Sequence, residues 1–145
     1  MTTNTKLKIV VDTNLFLSAF IYHGMSKIIF DLIRDGKLQL FISEALKIEV
    51  TKKIKEYYGH EKPSEEISFF LERRGTLITP NIKVIASRDP NDNFILELAE
   101  TARADYIITR DKDLLELPGQ KWKKTKIRKP EDFLPLLRKM NLLKP

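Results

Sequence analysis

Hydrophobic and polar positions along this chain follow two periods in alternation. The short apolar runs Leu7-Lys-Ile-Val-Val11, Leu38-Gln-Leu-Phe-Ile42 and Asp105-Tyr-Ile-Ile-Thr109 predict buried strands, and stripes of helical spacing lie between them. Leu15 to Tyr22 and Ser26 to Arg34 predict two helical pieces divided at His23-Gly24, the second stopped by Asp35-Gly36. A helix from Ser43 to about Tyr58 ends at Gly59, with Leu46, Val50, Ile54 and Tyr57 as its apolar face. Pro63 opens a further helix in a position that proline favours, and Gly75 closes it. Pro80-Asn81 splits the next stretch and leaves one short strand at Lys83-Val-Ile85, near a sheet edge. Asn91 to Arg103 predicts a helix with Phe94, Ile95, Leu98, Ala99 and Ala102 on one face. A helical turn at Leu114-Leu115, a last strand near Lys126-Ile-Arg128 and a helix from Pro130 to Met140 complete the chain. Strands alternating with helices predict an α/β fold with a mainly parallel sheet.

Composition narrows what such a fold can do. The 145 residues, 42% hydrophobic and 32% charged, predict one domain over 1–145 with a flexible start at 1–6. No apolar run approaches the ~20 residues of a membrane helix, and the start has no hydrophobic signal segment, so no membrane association is expected. The chain has no cysteine, hence no disulfide, thiol nucleophile or thiolate metal site, in keeping with a reducing cytoplasm. His23 and His60, the two histidines, read as loop residues, so any metal site must be built from oxygen ligands.

Ligands bind outside the carboxyl ends of strands in open α/β sheets. The first strand runs into Asp12-Thr-Asn14, the second into the helix carrying Glu49, and a later one into Thr109-Arg-Asp-Lys-Asp113. At 100° per residue Glu49 lies about 60° from Leu46, on the border of the apolar face. Glu44, in the first turn, has a helix-dipole role. Asp92 shares a helical line with Ile95 and Ala99, which directs it to the sheet edge. Carboxylates gathered without histidines suit a hard cation, Mg2+ or Mn2+, and such a site suits phosphodiester hydrolysis by metal-activated water. Asn14 and Thr109 are placed to orient a ligand or water. Each acid also has a plainer role: Asp12 and Asp113 as helix caps, Glu49 as a partner of Lys52 or Lys53, Asp92 as a dipole complement. Their coincidence at one edge is what favours a site.

Val11-Asp-Thr-Asn14, the helical Glu49, Asp89-Pro-Asn-Asp92 and Ile108-Thr-Arg-Asp-Lys-Asp-Leu114, in this order, resemble the PIN-domain family. The nearest branch is that of toxin components of toxin–antitoxin systems. The resemblance spans Lys8 to about Phe133 and implies a Rossmann-like three-layer α/β/α sandwich, Mg2+ or Mn2+, and cleavage of single-stranded RNA. It further implies a homodimer and an antitoxin partner. Asp12, Glu49, Asp92 and Asp111 carry over as catalytic metal-site residues, with Asp113 as a fifth ligand. Leu114 stands where many members have phenylalanine, a departure that leaves the acids untouched.

Charge adds to this picture. The chain is +6 overall; with five acids assigned to a site, 26 cations face 15 acids elsewhere, a balance of +11 suited to a polyanion. Lys121, Trp122, Lys123, Lys124 and Lys126 form a basic segment that either holds RNA phosphates, with Trp122 stacking on a base, or is a solvated connection with Trp122 packed on the body. Two other functions fit parts of the pattern. A haloacid-dehalogenase-type phosphohydrolase also opens with an acid after its first strand, but wants an aspartate where Asn14 stands. A PIN-like nucleic-acid-binding domain with an inactive site is opposed by the full set of acids.

Overall fold

A computed structural model describes residues 6–22, 24–87 and 89–144. The strands are β1 (Leu7–Val11), β2 (Leu38–Ile42), β3 (Gly75–Leu77), β4 (Tyr106–Ile108), β5 (Lys121–Trp122) and β6 (Thr125–Arg128). The helices are α1 (Thr13–Tyr22), α2 (Met25–Arg34), α3 (Glu44–Tyr58), α4 (Glu61–Arg74), α5 (Pro90–Ala102), α6 (Lys112–Leu115) and α7 (Pro130–Lys139). Neighbouring strands follow the order β3-β2-β1-β4-β6-β5, all parallel except β5, which joins β6 as an antiparallel hairpin. The predicted break at His23-Gly24 is half visible: Gly24 precedes α2, and His23 lies outside the described residues, as do 1–5 of the expected flexible start.

Side chains of a strand point alternately to opposite faces, so a strand buried along its whole length is covered on both. Ile9, Val10 and Val11 of β1 are fully buried, as are Ile107 and Ile108 of β4. The sheet is accordingly flanked by helices on both sides, the α/β arrangement expected from the alternating pattern. The chain builds β1, then β2 and β3 to one side, and returns after α5 to place β4 on the other side of β1. This reversal puts a topological switch point between the carboxyl ends of β1 and β4, where open α/β sheets bind ligands.

Four expectations are corrected. The third strand is Gly75–Leu77, not Lys83–Ile85. It begins at Gly75 because a side chain there would stand 2.7 Å from the Leu71 carbonyl oxygen and 2.9 Å from Ile42, so only glycine lets the chain leave α4 and pair with β2. Lys83–Ile85 is irregular, with the Val84 N–H donating to Glu97 Oε2 at 3.0 Å. On α3, Tyr57 is exposed and Tyr58 packs against the core instead; on α5, Phe94 points outward and Leu96 takes the buried position. Both slips come from helix faces wider than a single stripe, which periodicity alone does not divide correctly. Finally, α4 starts at Glu61, two residues ahead of Pro63, which sits within the first turn.

Candidate metal centre

Asp12 is the first residue beyond β1. Its N–H continues the ladder to the Ile108 carbonyl oxygen at 3.1 Å, and its own carbonyl accepts from Leu15 N at 3.0 Å to begin α1. Strand and helix thus hold its backbone from both sides, and its side chain is buried at the switch point. Thr109, fully buried at the end of β4, donates from Oγ1 to Asp12 Oδ2 at 2.7 Å. The same hydroxyl oxygen accepts the Asp111 N–H at 2.9 Å. One hydroxyl therefore fixes the Asp12 carboxylate and the Asp111 backbone together. Burial raises the pKa of Asp12; the Thr109 hydroxyl opposes this, the negative charge of Asp111 adds to it, the Asn14 N–H opposes it, and Glu49 adds to it.

Asp111 caps the short helix α6, with Oδ1 accepting the Asp113 N–H at 2.8 Å. Asp92 enters from the first turn of α5 and is buried. Carboxylate oxygens of Asp92, Asp111 and Asp113 all lie within 4.8 Å of one another. Asp113, read in the sequence as either a helix cap or a fifth ligand, is therefore part of the group that could hold an ion among the described residues. Desolvation first, then the charge of Asp111, push the Asp92 carboxyl up from 3.8 to about 7. Asp92 is buried, Asp111 half-buried and Asp113 exposed; like charges this close repel without a cation, and an all-oxygen set of three carboxylates is the chemistry that a hard divalent ion takes. The residues present fit a hard divalent cation.

Glu49 lies on the border of α3, half-buried, and pairs with Lys53 Nζ at 3.2 Å. It is near enough for its charge to act on Asp12, yet stands outside the three-aspartate cluster. Both the ionic pairing and the position at the site edge are thus present. Glu44 is exposed in the first turn of α3, whose N-cap is Ser43, with Oγ accepting Leu46 N at 3.1 Å. Asn14 is exposed at the start of α1 and bonds the Asp12 carboxylate through its backbone N–H.

The basic segment lies elsewhere. In the β5–β6 hairpin Trp122 pairs with Thr125 and Lys121 with Lys126, and Lys126 is in register with Tyr106 at the start of β4. Lys121, Trp122, Lys123, Lys124 and Lys126 therefore stand at the amino-terminal end of the sheet, opposite the acids. Trp122 is half-buried and donates from Nε1 to Glu100 Oε1 at 2.7 Å, so its ring packs on the body rather than standing free.

Two contributors were not visible in the sequence pattern. Ser87 donates to Asp92 Oδ2 at 3.2 Å. Asn93 fastens that loop to α5, its Oδ1 accepting Ala86 N at 3.1 Å and Ser87 N at 2.8 Å. Asp89-Pro90 stands at the entrance to α5, but nothing in the sequence spacing told that the loop before it returns to the carboxylate. Arg110 is drawn aside to Glu131 of α7, 2.6 Å from Nη2 to Oε1.

The chain is similar to known proteins in sequence and in fold. A family model described as a PIN domain matches residues 8–113. The uncharacterized protein MJ1680 of Methanocaldococcus jannaschii is 34% identical over 118 residues, covering 77% of this chain and 76% of that protein. Among solved structures, a chain of VapBC2 from Rickettsia felis, crystallised bound to a DNA fragment from their promoter, superimposes with a TM-score of 0.62. Its identity is 16%, with 85% of this chain and 98% of that one covered, so the likeness is one of fold.

Proposed function

The chain belongs to the PIN-domain family, and from that premise we propose that it is an Mg2+- or Mn2+-dependent endoribonuclease acting on single-stranded RNA. The observation that carries this reading is the convergence of Asp92, Asp111 and Asp113 beside buried Asp12, at the switch point of the sheet. Those three aspartates would hold the ion. When bound, a divalent ion supplies charge stabilisation at a phosphodiester and a water of lowered pKa.

The protein's own groups supply placement. Thr109 keeps Asp12 and the Asp111 backbone in fixed relation, and Ser87 holds one oxygen of Asp92. Lys53 pairs with Glu49 Oε1 at 3.2 Å at the rim of the site, which holds this carboxylate in place beside the aspartates. Positioning of this kind, rather than covalent chemistry, is what a hydrolytic phosphodiester site asks of its side chains.

The reading extends to partners. The resemblance to toxin components and the fold likeness to a VapBC2 chain support an antitoxin protein as partner and the cytoplasm as location. Exposed Ile48 and Phe69, which line one shallow groove between α3 and α4, support a homodimer.

Purified protein with Mn2+ is expected to cut single-stranded RNA internally and to stop on chelation. Absence of cutting with either ion, or equal cutting of duplex DNA, overturns the assignment. In cells, expression alone is expected to arrest growth through Asp12; arrest that persists in Asp12→Asn rejects the toxin role.

A further inference from the structure

The acids occupy one end of the sheet; the opposite end carries a recess with the reverse charge. A cavity of about 470 Å³ opens there, between the starts of β1 and β2, β3 and the end of α4. Four cations line it, Lys6, Lys8, Arg73 and Arg74, together with the polar side chains of Gln39 and Thr76. No carboxylate is among the described residues that line it. None of the four cations has an ion-pair partner among the described residues, although other surface lysines and arginines do. The neighbouring carboxylate of Asp105 is engaged: its Oδ2 accepts the Lys8 backbone N–H at 2.8 Å.

Helix dipoles account for part of this charge and not for the rest. Arg73 and Arg74 end α4, where cations are favourable at any helix carboxyl terminus. Lys6 and Lys8 stand at and beside the start of a strand, where no dipole asks for them. Lys6 reaches the α2–β2 turn, where its Nζ would lie 3.7 Å from a Cβ on Gly36. Arg73 also lies over the Phe69 ring, 5.2 Å from its centroid, but no carboxylate balances the four like charges, and their summed positive field attracts an anion. Two guanidinium groups offer planar forks suited to phosphate oxygens, while the Gln39 amide and Thr76 hydroxyl add neutral donors. Further cations stand on this end of the sheet, with Asp105 between them and the recess. Lys123, Lys124 and Lys126 of the hairpin lie on the same end of the sheet, and six strands ~4.8 Å apart span about 24 Å between the outermost two. Two separated groups of cations on one end of the sheet suit a linear polyanion better than a single small ion.

We propose that this recess binds the phosphate backbone of single-stranded RNA at a second site, remote from the acidic centre. The choice of RNA among polyanions rests on the function proposed above; the recess and its charge do not.

The test is made on the full chain in chelator, so that no strand is cut while binding of a labelled single-stranded RNA is followed across a salt series. Lys6→Gln, Lys8→Gln, Arg73→Gln and Arg74→Gln combined are expected to weaken binding at least about tenfold. They should also flatten the slope of log affinity against log salt by about 0.7 for each phosphate that is no longer neutralised. The exposed pair Arg73→Gln and Arg74→Gln answers the question if the fourfold variant melts early; about half the slope change is expected. Wild-type affinity and slope in that pair and in a folded fourfold variant overturn the proposal. Displacement of the RNA by equimolar inorganic phosphate assigns the recess to a free anion and overturns it too, as does tighter binding to phosphatidylserine vesicles than to RNA. A wild type that binds RNA through these residues but never cuts it with Mn2+ refutes the nuclease reading alone. One that cuts RNA but binds it without regard to the four substitutions refutes the second site alone.

Discussion

The two ends of the sheet differ in charge and in how firmly each charge is held. At the carboxyl end, Asp12 and Asp92 are buried, bonded to Thr109 and Ser87, and gathered with Asp111 and Asp113 despite their repulsion. At the amino end, Lys6, Arg73 and Arg74 are exposed, and no ion pair holds them among the described residues. Buried like charges are costly and need a strong, localised compensating charge, whereas exposed cations are solvated and cost the fold little. On the two proposals above, the acidic end would take one localised cation and the basic end a diffuse polyanion. Substitutions at the first should change chemistry and intrinsic stability; substitutions at the second should change affinity and its salt dependence.

The largest effect is expected at Asp111. Asp111→Asn keeps the shape of the α6 cap and removes one of three clustered charges. RNA cleavage should fall by more than the roughly 10–100-fold that loss of an outer-shell partner costs. Cleavage across an Mn2+ titration measures this, and a variant as active as wild type ends the case for a metal centre. Next comes Thr109→Val, which removes the bridge between Asp12 and the Asp111 N–H. It should lower Mn2+ affinity or cleavage by roughly 10–100-fold, with Thr109→Ser restoring most of the loss. If serine restores nothing, the hydroxyl is not what positions these acids.

Glu49 and Glu44 divide α3 between the site and the solvent. Glu49→Gln should reduce cleavage severalfold or more at subsaturating Mn2+, whereas Glu44→Gln should alter only stability, by about 0.3–1 kcal/mol. Parallel cleavage and melting assays of both variants check this, and the reverse outcome would place Glu44 at the site.

Asp92 gives a pH signature. In the metal-free protein its folded pKa is raised from 3.8 to about 7, with desolvation the leading cause. The native state therefore keeps a proton that the unfolded chain releases, so this contribution is full below about 4 and is lost as pH rises through about 7. The metal-free Tm should decline over that window, and Asp92→Asn should flatten the decline, each 1 kcal/mol being roughly 2–4 °C at this size. Mn2+ should restore Tm at the alkaline end, because it binds only the folded state. A metal-free Tm that rises steadily from pH 5 to pH 8 in chelator would contradict this assignment. At the other end, Arg73→Gln with Arg74→Gln should cost stability only the helix-dipole contribution, about 0.3–1 kcal/mol for each arginine, and leave cleavage chemistry alone. A larger loss in the melting curve would show that these arginines hold the fold.

Much of the molecule is legible in its pattern. β1, β2 and β4 announce themselves as apolar runs because parallel strands are buried on both faces, and each is followed by the acid or helix that the site uses. Asp12, Asp92 and Asp111 stood out because each follows a strand or opens a helix, positions that local spacing reports. Other features depend on the meeting of distant segments. Strand β3 forms only because Gly75 can approach Ile42 and Leu71, a fit that no window around residues 75–85 contains. Ser87 becomes part of the site through the Asn93 clasp, and Asp113 through the turn that brings α6 against α5. The basic segment at 121–126 read as a local run, but the parallel register of β6 sent it to the far end of the sheet and away from the acids. Local sequence determined which residues could be strand, helix or ligand, because periodicity and capping act over a few residues. Which of them meet, and at which end, was decided by chain reversal and strand register, because those are set by packing over the whole sheet.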